Sequence, residues 1–126
     1  MAKFKVGNVV LCEHAVLGAN NKHTLVNVYA GDIIVASLPA TLSFGLYIEF
    51  LSGNNPEKIN IEVSLARDPA LIAETIIPNS GTGIILIPVF PLKIEKDLNL
   101  EVFAIAEGFK RQLILKKRIY QGAIPT

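Results

Sequence analysis

Three groups of residues carry side chains with the chemistry to act on something. The first is Cys12-Glu13-His14, joined further along by His23. A cysteine nucleophile needs a base within hydrogen-bond reach. On a strand, residues two apart share a face with α-carbons about 7 Å apart, so His14 could serve Cys12. If residues 15–22 form a hairpin loop, His14 and His23 converge and, with Cys12 or Glu13, offer three or four metal ligands. The structural alternative is that Cys12, following Val9, Val10 and Leu11, packs as a small apolar residue. The spacing matches no tight metal motif, and no oxyanion-hole segment accompanies the cysteine. The expectation is no catalytic residue, no metal site and no cofactor, with a thiol- or metal-dependent enzyme at Cys12, His14 and His23 as the third alternative.

The second group is Lys110, Arg111, Lys116, Lys117 and Arg118, five of the 12 basic residues. Clustered cations make a site for a phosphate, a nucleotide or an acidic partner. Strand alternation places Lys116 and Arg118 on one face and Lys117 on the other, so the candidate ligand-binding residues are Lys110, Arg111, Lys116 and Arg118. The structural alternative is an edge strand guarded by lysines against aggregation. The third group, Gly81-Thr82-Gly83, has phosphate-loop character, but such a loop must open a helix. Ile84-Ile85-Leu86-Ile87-Pro88-Val89 follows instead, and it has the character of a strand. Asp32, after Gly31, suits a turn as well as a site.

The elements that must position these residues are strands. Ile59, Ile61, Val63 and Leu65 alternate with Lys58, Asn60, Glu62 and Ser64, the pattern of a strand with one wet face. Phe44, Leu46, Ile48 and Phe50 share a face, and Leu98–Ala106 begins alternating before turning apolar throughout. Turn residues separate the runs at 18–22, 52–56, 67–70, 78–83, 95–97 and 107–110. The 52–56 segment reads as a hairpin loop. Residues 68–76 carry two readings, since Asp68 and Pro69 also suit the start of a short helix. The expected fold is an all-β, single-domain antiparallel sandwich of about eight strands over 1–126, immunoglobulin-like or related, with a possible short helix near 68–76.

Composition bounds the function. The chain has 126 residues, 51% apolar and 18% charged, with a net charge of +1. One domain of this size buries a core without staples. The near-neutral charge argues against general nucleic-acid binding. The single cysteine makes no intrachain disulfide, and no apolar run reaches the length of a membrane helix. A cytoplasmic location is the default expectation. Ile84–Val89 and Asp32–Leu38 are apolar on both faces, so each is expected to be a central strand or to lie at a subunit interface.

Val9-Val10-Leu11-Cys12-Glu13-His14-Ala15, the run Thr24 to Gly31, and Pro39 leading into Leu42–Ile48 together resemble a family of small uncharacterised bacterial all-β domains. The paired runs Leu98–Ala106 and Gln112–Tyr120 match its closing strands. The resemblance implies an all-β fold and carries no activity or site residue. The leading expectation is a non-enzymatic binding or assembly module that self-associates, a homo-oligomer or the partner of another protein. The alternative is a binder of small nucleotide-like anions through residues 110–118.

Overall fold

The computed structural model describes residues 3–20, 22–51, 56–77 and 83–123. Among the described residues nine strands run in chain order: β1 (Val6–Leu17), β2 (His23–Val28), β3 (Ile33–Val35), β4 (Ala40–Phe50), β5 (Lys58–Leu65), β6 (Asp68–Ile76), β7 (Gly83–Ile94), β8 (Leu98–Ile105) and β9 (Gln112–Gln121). They form a four-stranded sheet, β2-β1-β4-β7, and a five-stranded sheet, β3-β9-β8-β5-β6. All pairings are antiparallel except β3 with β9. From β4 onward, the order β4-β7 over β9-β8-β5-β6 is that of the B, E, G, F, C and C′ strands of an immunoglobulin-type sandwich. Among the described residues no helix is long and apolar enough to cross a membrane.

Alternation sets the core. Phe44, Leu46, Ile48 and Phe50 of β4 face Ile59, Ile61 and Val63 of β5 and Leu100, Val102 and Ala104 of β8, all within one buried cluster. Residues 68–76 are a strand, and the helix reading is corrected. Asp68 begins the return leg of a hairpin in which Ala66 and Arg67 occupy the left-handed region, φ 51° and 71°. Two such residues in a two-residue loop match the twist of the flanking strands, which a helical start cannot do. Residues 52–55 lie outside the described residues. β4 and β5, the strands on either side, belong to different sheets and do not pair.

The strands apolar on both faces are not central. β7 and β3 are both sheet edges. Each edge carries a feature that limits further pairing. β6 carries Pro69, and β7 carries Pro88, Pro91 and Lys93. β3 is three residues long, and β2 is interrupted by Asn27 at φ 52°.

β7 is approached from within the domain by β1. β1 pairs with β4 only as far as Cys12, opposite Gly45. Beyond that point β1 leaves the ladder and meets β7 over the outer face of β4. A Cβ on Gly45 would lie 2.7 Å from the Pro88 carbonyl oxygen and 2.8 Å from the Ala15 nitrogen. Only glycine fits under that crossing. Opposite it β7 bulges, since Phe44 faces Phe90 while Leu46 faces Ile87. The arm also brings His23 against Tyr47, ring centroids 6.4 Å apart.

Candidate binding surface

The outer face of the five-stranded sheet is built from the polar halves of the alternating strands. Register places Leu113, Phe103, Glu62 and Ile72 in one row across β9, β8, β5 and β6. The neighbouring rows hold Lys116, Glu101, Ser64 and Pro69 on one side, and Ile105, Asn60 and Glu74 on the other. A carboxylate in the middle of such a row would normally be solvated. Glu62, however, is only 8% exposed. Its Oε2 accepts hydrogen bonds from the Ser64 hydroxyl at 3.2 Å and from Arg111 Nη2, which also forms an ion pair with it. Burying a carboxylate is costly unless a cation and further donors meet it, and here both do.

Arg111 reaches Glu62 from the β8–β9 loop by lying across Phe103, its guanidinium carbon 3.7 Å from the ring centroid. One side of the guanidinium is thus held by a ring face and a carboxylate, and the side chain remains about half exposed. Ile72 and Leu113, in the row of this pair, and Ile76, opposite Lys58 further along the face, are open to solvent at 61%, 45% and 62%. Phe103 and Ile105 are half-buried between them.

The basic stretch does not act as one patch. Lys116 and Arg118 lie on the outer face as alternation requires. Lys116 sits opposite Glu101, and the Arg118 guanidinium lies 4.4 Å from the Tyr120 ring centroid. Lys117 pairs with Leu100 on the opposite face. Lys110 and Arg111 belong to the β8–β9 loop. There they line a separate cavity with Lys3, Gln112 and Leu113.

The structure separates the Cys12 group. Cys12 is fully buried beneath the crossing of β1 and β7, and its thiol donates to the Gly45 carbonyl oxygen at 3.5 Å. Burial pushes the thiol pKa up, so the sulfur is held as a neutral thiol away from solvent. His14 is exposed and pairs with Val26 in the ladder, whereas His23 pairs with Leu17. The two pairs are three positions apart along β1, an odd offset, so the histidines face opposite sides of the hairpin. The His23 Nδ1 atom is buried without a partner, facing no second ligand. Among the described residues no three His, Cys, Asp or Glu side chains group to hold a metal. Gly81 and Thr82 lie outside the described residues, and Gly83 opens strand β7, not a helix.

The residue that sequence reasoning overlooked is Glu62. Alternation assigned it to a wet face, and its position relative to Ser64 carries no sign of burial. Its partner Arg111 lies 49 positions away, and only the β5–β8 pairing brings the two together. Tyr29 was likewise unremarkable in sequence. Its hydroxyl donates to the Ser43 carbonyl oxygen at 2.9 Å, and its ring packs against Phe44. Burial first, with the charge of Glu13 adding to it, pushes its pKa up to about 12.

No protein-family model matches the chain, and no curated protein or solved structure matches it either.

Proposed function

We propose that this protein is a binding and assembly module that self-associates through the outer face of its five-stranded sheet. The observation that carries the reading is the set of exposed apolar side chains, Ile72, Ile76 and Leu113, flanking Phe103 and Ile105 on that face. Apolar side chains gathered on one face of a soluble domain gain free energy when a partner covers them. The Glu62–Arg111 pair supports the reading, because it ties a central charge down within the face.

Register favours a second copy as the occupant. β9 at one side of the face presents Leu113, and β6 at the other presents Ile72, in the same row. A two-fold axis lying between the faces and parallel to the strands lays each β9 over the partner's β6. Position along the strands is kept, so the exposed Leu113 of one copy meets the exposed Ile72 of the other. Sedimentation velocity or light scattering over a concentration series tests this. The expected result is a dimer for the natural chain and a folded monomer for Ile72→Lys with Ile76→Lys. A natural chain that stays monomeric at high concentration, or a double variant that dimerises as well, overturns it.

A further inference from the structure

We propose that the cavity between the segment preceding β1 and the β8–β9 loop binds a compact oxyanion, inorganic phosphate or the phosphate group of a monoester. The cavity has a volume of about 300 Å³ and is lined by Lys3, Lys110, Arg111, Gln112 and Leu113. Three cations therefore border one space, and none of the lining residues is a carboxylate.

Their approach is imposed by the fold. The Phe4 amide donates to Gln112 Oε1 at 2.9 Å, and Gln112 Nε2 donates back to the Phe4 carbonyl oxygen at 3.4 Å. The Phe4 ring stacks on Phe109 with centroids 4.8 Å apart. Lys3 precedes one ring of that stack and Lys110 follows the other. The contacts that bury Phe4 thus force the two ammonium-bearing residues to the same cavity wall. Arg111 is already committed to Glu62 on one side, which fixes its guanidinium at the cavity. Among the described residues, Arg111 is the one of these three cations with an ion-pair partner. Holding like charges together costs free energy, and a bound anion relieves it.

A second cation-rich cavity gives the contrast. It is lined by Arg67, Lys96 and Lys116, but Asp97 and Glu101 line it as well. Glu101 sits opposite Lys116, and Asp97 Oδ1 accepts the Gln121 amide at 3.0 Å. Its positive charge is largely met from within. The site at Lys3, Lys110 and Arg111 is the one left wanting an anion. Its open, lysine-bordered form suits a multiply charged oxyanion better than a planar base, because no aromatic ring lines it.

The test is an amide ¹H–¹⁵N correlation titration of the full chain with sodium phosphate, against sodium chloride at matched ionic strength. Saturable shifts are expected at the amides of Phe4, Lys110, Arg111 and Gln112. Lys3→Gln with Lys110→Gln should weaken binding by roughly tenfold. Lys116→Gln with Arg118→Gln should leave it unchanged. Both pairs are exposed or largely so, and the same spectra report whether the fold is retained. A parallel titration with methyl phosphate separates the sources: tighter binding than phosphate assigns the site to a phosphate ester, and equal or weaker binding assigns it to the free ion. Shifts reproduced by chloride, shifts centred on residues 116–118, or unaltered binding by the Lys3/Lys110 variant overturn the proposal.

Discussion

Gly45→Ala is the smallest change that tests how β1 and β7 are held together. The added methyl would sit 2.7 Å from the Pro88 carbonyl oxygen and 2.8 Å from the Ala15 nitrogen. Both are backbone atoms, so no rotamer change relieves the clash. One of the crossing strands must move. Overpacking of this kind costs about 1–3 kcal/mol, and a backbone obstacle puts it toward the upper end. Against this, alanine restricts the unfolded chain and returns about 0.4–1 kcal/mol. The net loss is about 1–2.5 kcal/mol, read in a urea unfolding curve as a lower midpoint with an unchanged slope. The loss should also be local. Cys12 lies under the same crossing, with its sulfur 3.2 Å from where the methyl would stand. Its alkylation under native conditions should therefore accelerate, by about tenfold for each 1.4 kcal/mol by which local opening becomes easier. Gly7→Ala is the control, because its methyl would meet the Leu51 Cδ2 atom at 3.1 Å, the end of a side chain that can turn. If Gly45→Ala is as stable as the natural protein and Cys12 stays inert, the crossing is not closed by these atoms.

Two further outcomes follow from named contacts. Arg111→Met strips the partner from a nearly buried Glu62 and removes the stacking on Phe103. It should cost about 1–3 kcal/mol, a figure reduced from fully buried pairs because Arg111 is half exposed. Adding Glu62→Leu should recover much of that loss, and a double-mutant cycle with no coupling would show that the pair is only incidental. Tyr29, with its pKa raised from 10.0 to about 12, holds its proton more tightly when folded. The folded state therefore binds more protons between those values. The stability this confers is complete below pH 10.0 and is lost as pH rises toward about 12. Ultraviolet difference titration should show a late-ionising phenol that disappears in Tyr29→Phe.

How much of this was legible in the sequence differs by element. β5 and the start of β8 were readable because each alternates apolar and polar residues, although Glu62 and Ser64 on the polar face of β5 are buried as well. The 68–76 segment was ambiguous because Asp68-Pro69 serves a helix start and a strand edge equally well. Only the left-handed pair at Ala66 and Arg67, where glycine or asparagine is usual, commits the chain to a hairpin. Ile84–Val89 misled for another reason. β1 approaches it over Gly45, and no local pattern records that a strand far away in sequence will cross there. The basic stretch was read correctly in its alternation but not in its grouping. Lys110 and Arg111 depart from Lys116 and Arg118 where the loop ends and β9 begins, and Lys3 joins them only through the Phe4–Gln112 contacts.

The treatment of the sheet edges limits what kind of assembly this chain can make. Pro69, Pro88 and Pro91 remove amide donors from β6 and β7, Asn27 bends β2, and β3 is too short to template a neighbour. Growth by adding strand to strand, the route to open-ended fibres, is hindered over part of each margin. What remains is association through a face, and a face used once by two copies is used up. The face-to-face association proposed above would, by this geometry, close as a finite pair.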